Sequence, residues 1–153
     1  MYLPFDTSLI VTTHFDPEMR MLADRHYSRR SVGARQFLCS GRKLVIRDAA
    51  GTMLFGWMNC DLDKRFDGQR GYNCAIFRNE SARRSSDIIL ECEVLAYAKW
   101  GLNRVYTYIN AAAIKSPNPG YCFKCAGWQH IGYSKGGLHL LAKDIRQLGG
   151  WTG

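Results

Sequence analysis

The apolar positions change period several times along the chain, and each change marks an element. Leu9-Ile10-Val11-Thr12-Thr13 is a short apolar run that predicts a first strand. Three helix-start signals follow together: Asp16 can cap, Pro17 suits the first helical position, and Glu18 complements the dipole. Met19, Leu22, Ala23 and His26 then fall at i, i+3, i+4 and i+7, one helix face, which ends at His26-Tyr27-Ser28. Residues 35–39 predict a short strand. Lys43–Arg47 and residues 52–58 flank the turn Asp48-Ala49-Ala50-Gly51 and predict a β-hairpin. Residues 61–71 are charged and carry glycine, so they read as a loop, and 72–77 as the next strand. Ser85 or Ser86 can cap the following helix, with Asp87 in its first turn. Its apolar stripe is Ile88, Ile89, Cys92, Leu95 and Ala96, and Gly101 stops it. Arg104–Ile109 alternates as a strand and breaks at Asn110. Ser116-Pro117-Asn118-Pro119-Gly120 leads into a short helix near Tyr121, and 137–142 predicts a last strand. Residues 146–153, with a Gly-Gly pair and Trp151, read as a loosely tied tail.

The order is helix, antiparallel strands, strand–helix–strand, short helix, strand. It predicts a single α/β domain over 1–153, with a mixed sheet and a central crossover. A strand end, a polar break and a helix start between Ile109 and Tyr121 predict a crevice of the kind in which ligands bind.

Composition narrows the class. A hydrophobic share of 46% and a charged share of 22% fit an ordinary globular protein. No basic-then-apolar leader and no bilayer-length apolar run is visible, so a cytoplasmic protein with no membrane partner is expected. The 6 cysteines are scattered, which favours reduced thiols over a disulfide framework. The formal net charge of +8 points to an anionic partner, nucleic acid first, with solubility as the plain alternative. Two clusters favour the sharper view: Arg25-Arg29-Arg30-Arg35 and Arg78-Arg83-Arg84.

The element order resembles that of the GNAT acyltransferase superfamily, and Asn118, Tyr121 and Phe123-Lys124-Cys125-Ala126-Gly127-Trp128 are similar to its motif helix. The resemblance covers roughly residues 16–145 in element order. It implies a GNAT-like fold, a mixed, mainly antiparallel sheet flanked by helices, and an acyl-CoA-like donor. One departure is plain. The superfamily's phosphate loop is glycine-bearing, and the equivalent segment here, residues 78–86, has no glycine. Side-chain bulk there crowds the amides that a helix start offers to anions.

His26-Tyr27-Ser28, the Phe77-Arg78-Asn79-Glu80 segment with Ser85-Ser86, and Tyr106-Thr107-Tyr108-Ile109-Asn110 followed by Tyr121 resemble a narrower group, the Mom family. These GNAT-like phage proteins modify adenine in DNA to a carbamoylmethyl form and so block restriction. The resemblance implies a transferase acting on DNA in the bacterial cytoplasm, with His26, Tyr27, Asn110 and Tyr121 at the active site. It also implies iron as an alternative, with His26 as ligand. Asn110 stands where that family has an aspartate, and an amide cannot serve as the base a carboxylate would be.

Each residue also has a plainer role. His26 suits acid–base work, or it closes an apolar helix face. Tyr27, Tyr108 and Tyr121 suit stacking on an extruded base, or they fill a core rim. Arg78, Ser85 and Ser86 suit a phosphate of the cofactor, while capping accounts for the serines and a salt bridge to Glu80 or Glu91 for Arg78. Arg29, Arg30, Arg35 and Lys115 are expected at DNA phosphates. Cys122 and Cys125 lack the further ligands a zinc site needs. A small-amine N-acetyltransferase using acetyl-CoA and a non-catalytic nucleic-acid binder remain as alternatives. Donor, target base and oligomeric state do not follow.

Overall fold

The computed structural model describes residues 7–26, 38, 41–59, 68–101, 104–113 and 117–145. In chain order they form β1 (Ile10–Thr12), α1 (Pro17–Asp24), β2 (Lys43–Arg47), β3 (Met53–Asn59), β4 (Tyr72–Asn79), α2 (Ser85–Trp100), β5 (Arg104–Ile109), α3 (Tyr121–Cys125), β6 (Gln129–Tyr133) and β7 (His139–Asp144). The strands make one 7-stranded sheet, β1-β2-β3-β4-β5-β7-β6. Every neighbouring pair is antiparallel except β4 and β5, which α2 joins as a parallel crossover.

Local chemistry explains most boundaries. Asp16 accepts from the Glu18 and Met19 amides at 3.0 and 3.2 Å, so α1 starts where its cap, proline and acid coincide. Asp48 ties the β2–β3 turn by accepting from the Thr52 and Met53 amides at 2.7 and 3.0 Å, and β3 begins at Met53. Alternation along the strands sends successive side chains to opposite faces. Leu44, Ile46, Phe55, Trp57, Val105 and Leu141 pack with α2 and α3 on one face. Val45, Leu54, Met58, Ile76, Tyr106 and Leu140 pack with Met19, Leu22 and Ala23 of α1 on the other.

One expectation fails. Neither Ser85 nor Ser86 caps α2; its cap residue is Arg84, and no side chain closes that helix end. The reason is non-local, because Asn79 donates to the Ser85 hydroxyl at 3.0 Å and holds it toward the preceding loop. β6 goes unanticipated. It is an edge strand, solvent-facing at every residue but Gly132, so it carries no burial pattern to read. Of the strand expected over 35–39 only Leu38 lies among the described residues, where it is buried. No helix among the described residues is long and apolar enough to cross a membrane.

Candidate active site

The central feature is a place where two adjacent strands part. β4 and β5 pair over Tyr72↔Val105, Asn73↔Tyr106 and Cys74↔Thr107, and no further. The Thr107 hydroxyl donates to the Cys74 carbonyl at 2.8 Å and closes the last rung. β4 bulges at the same level. Cys74 faces Trp57 and Ile76 faces Gly56, which leaves Ala75 as the extra residue. A bulge bends a strand and increases its twist. From Ala75 on, β4 has no pairing with β5, and the two strands part in a gap toward Asn110.

One side of the gap belongs to α1. His26, two residues past that helix, is partly buried, and its ring hydrogen-bonds the Phe77 main chain. Burial first, and the neighbouring Arg78 guanidinium second, bring its pKa from 6.5 down to about 4, with the Phe77 bond pulling the other way. The imidazole is therefore neutral near pH 7, with one ring nitrogen tied to the main chain. A three-residue strap holds it there. Arg78 donates to the Arg25 carbonyl at 2.7 Å and to Glu80 at 2.5 Å, and Arg25 grips both Glu80 oxygens at 2.9 Å. The two arginines hold the Glu80 carboxyl down at about 2. These ion pairs are exposed, and such pairs add little to stability. Their effect is positional: they pin the end of α1 to the end of β4.

The opposite side belongs to α3. Gly120 precedes it at φ +76, and a Cβ there would lie 2.5 Å from the Leu141 side chain and 3.4 Å from Ile109. Only glycine lets the helix start sit this close to β5 and β7. Phe123 then packs edge-on to Phe77 at 5.9 Å and against Trp128 at 4.8 Å. Beneath it, Lys143 donates to Glu93 at 2.8 Å and to the Ala126 carbonyl at 2.8 Å, and Trp128 donates to Glu93 at 3.1 Å. Burial raises the Glu93 carboxyl above its ordinary value despite these donors.

Between β4 and α2, Asn79 orders the glycine-free loop. Its carboxamide donates to the Arg83 carbonyl at 2.8 Å and accepts from the Ser81 amide at 2.9 Å. Arg83 is engaged by Glu91, which also accepts from Thr7 at 2.7 Å. Arg84 stays exposed at the uncapped start of α2. An uncapped helix start with an exposed arginine offers a positive end to an anion.

The structure brings His26 and Arg78 together, with Arg78 serving the strap. Tyr121 opens α3 on the other face of the sheet, 61% exposed. Its phenol is raised, by a hydrogen bond with Cys125 first, while the Arg84 charge opposes the shift. Asn110 accepts from the Ala112 and Ala113 amides at 3.2 and 3.3 Å and so shapes the turn that ends β5. Tyr108 is partly buried against the α1-side core. Tyr27, Arg29, Arg30, Arg35 and Lys115 lie outside the described residues. Iron does not fit what is described. No group of three or more His, Cys, Asp or Glu side chains converges among these residues, and Arg78 sets a positive charge beside His26. Sequence reasoning missed the contact between Phe77 and Phe123, and it missed Asn79. It also missed Asn73, whose buried carboxamide oxygen meets no donor on the α1 face. Such an unmade bond costs about 1–3 kcal/mol.

No protein-family model matches the chain, and no curated protein matches it. Among solved structures it is similar to a SpeG spermidine N-acetyltransferase chimera from Vibrio cholerae and hSSAT. The TM-score is 0.58, over 92% of this chain and 98% of that one, at 10% identity. At that identity the likeness speaks for the fold. The chain has a GNAT-like fold, with its mixed, mainly antiparallel sheet in one α/β domain.

Proposed function

We propose that the chain is a transferase that adds a small acyl- or glycyl-derived, carbamoylmethyl-like group to the exocyclic amine of adenine in DNA. DNA so modified would resist restriction, as the Mom resemblance implies. The observation that carries the reading is the β4–β5 gap with a neutral His26 held against its rim. An adenine must leave the duplex for its amine to reach such a gap. When bound, an acyl-CoA-like donor supplies the electrophilic carbon. Attack by the amine on that carbon would break its bond to sulfur and expel the donor's thiolate, and the nitrogen, made strongly acidic, would have to give up a proton. A neutral imidazole at the rim is a competent acceptor for it. Phe77 and Phe123 exclude water from one side, and Arg84 with the open start of α2 holds the donor's phosphates.

The solved neighbour favours a second reading, a small-amine N-acetyltransferase. Charge argues against a polyamine acceptor, because a net +8 with Arg84 exposed at the start of α2 repels a polycation. Expression in bacteria followed by mass spectrometry of digested nucleosides separates the two. A new mass on deoxyadenosine, absent with His26→Ala, supports DNA modification. An unmodified nucleoside pool together with acetylated spermidine would sink it in favour of the amine enzyme.

A further inference from the structure

At the free edge of the sheet three rings meet outside the gap. His130 and Tyr133 of β6 and His139 of β7 stand with centroids 4.9 Å (His130–Tyr133), 5.0 Å (His130–His139) and 5.0 Å (Tyr133–His139) apart, each pair edge-to-face. Tyr133 is 65% exposed and its neighbour Ile131 52%. Edge strands are usually blunted by lysine, proline or an inward charge. β6 reads Gln-His-Ile-Gly-Tyr and carries no lysine, proline or acid.

Position makes the cluster relevant. Tyr133 lies opposite His139, and His139 opposite Ile109, the last residue of β5. Opposed residues share a sheet face, and Ile109 belongs to the core under α2 and α3. The rings therefore sit on the α3 face, at the same end of the sheet as Asn110 and the mouth of the gap. Charge adds a second observation. Between Glu93 and Asp144 the chain has no acidic residue, but it has Lys99, Arg104, Lys115, Lys124, Lys135 and Lys143. Lys143 is committed to Glu93, whereas Lys135 is exposed in the β6–β7 turn.

We propose that His130, Tyr133 and His139 form a stacking platform for an unpaired base of the DNA strand, beside the nucleotide whose base enters the gap. The proposal rests on the DNA reading and deepens it. Extruding one base strips its neighbour of a stacking partner, and an exposed aromatic surface replaces that partner for any base, since every base has a π face. Lys135 then meets the linking phosphate.

The test is fluorescence anisotropy of a short end-labelled single strand titrated with the full chain at two salt concentrations. The variants are Tyr133→Ala, Tyr133→Phe and the His130→Ala/His139→Ala pair. Each is checked by circular dichroism and light scattering. Tyr133→Ala and the histidine pair should weaken binding about tenfold, while Tyr133→Phe, which keeps the ring, binds as wild type. Salt-sensitive binding that Tyr133→Ala leaves within about twofold would overturn the platform and leave the DNA reading standing. A wild-type dimer that Tyr133→Ala turns into monomers of unchanged affinity also overturns it, because the rings then join two copies of the chain. If wild type binds no strand, the platform falls, and nucleoside analysis decides the DNA reading on its own. If Tyr133→Ala fails to fold, the histidine pair and Tyr133→Phe carry the comparison.

Discussion

His26 is where burial and charge act on one proton. Its pKa is lowered from 6.5 to about 4, by burial first and by Arg78 second. A depressed folded value means that the unfolded chain takes up the proton first as pH falls. The contribution is therefore fully present above the unfolded value of 6.5 and is lost progressively as pH drops toward about 4. A shift of this size makes the fold about 2 kcal/mol less stable at about pH 5 than at about pH 7.5. Urea unfolding of wild type and His26→Gln at both pH values measures it, and the glutamine variant should lack this component. Equal pH slopes in the two proteins would remove the buried neutral imidazole from the account. Catalysis that needs the neutral ring has the same sign: it is flat across the neutral range and falls only as pH approaches about 4. Arg78→Met removes one of the two causes, so it should raise the ring's pKa and shift the acid limb of activity upward.

At the scale of elements, α3 depends on a buried network rather than on its own five residues. A helix that short does not persist alone, and its C-terminal carbonyl at Ala126 is fastened by Lys143 together with Glu93 and Trp128. Removing one partner of a buried pair leaves a charge without compensation. Lys143→Met should therefore cost about 3–5 kcal/mol, while the double change Glu93→Leu/Lys143→Met recovers most of it. Thermal unfolding of the two singles and the double, read as a cycle, checks this, and additive losses would contradict it. The same network shows why some of the fold was legible in advance and some was not. The start of α1 was readable because Asp16, Pro17 and Glu18 act within one turn. The start of α2 was misread because Asn79, six residues before Ser85, claims the hydroxyl that would have capped it. β6 was invisible because an exposed edge strand leaves no apolar alternation. For the site, His26, Asn110 and Tyr121 follow from the family resemblance, but the gap arises where strands paired between residues 33 positions apart stop pairing after Thr107. No local pattern encodes that parting, or the burial that neutralises His26.

For the whole molecule the deciding property is the sign of its charge. The excess of 21 Lys and Arg over 13 Asp and Glu is uneven, since residues 94–143 contain no acid at all. Four acids elsewhere are tied to bases, Glu80 to Arg25 and Arg78, Glu91 to Arg83, and Asp16 and Glu18 to Arg47. The outward field on the α3 side is thus set by groups such as Arg84, Lys124 and Lys135. A strand laid across them displaces counterions, and the logarithm of affinity falls with the logarithm of salt by about 0.7 per phosphate neutralised on single strands. Three contacts give a slope of about −2. Reversing two of these charges in Arg84→Glu/Lys135→Glu should flatten the slope by about 1.4 and weaken every DNA sequence alike, because phosphate contacts carry no sequence information. Spermidine responds oppositely. A polycation is repelled by the wild-type field, so it should raise the melting temperature of the double variant more than that of wild type. Salt titrations of DNA binding and thermal shifts with spermidine on the same two proteins therefore divide the acceptor classes. A steep wild-type slope that the double variant loses fits DNA as the acceptor. A flat wild-type slope with strong stabilisation by spermidine overturns it.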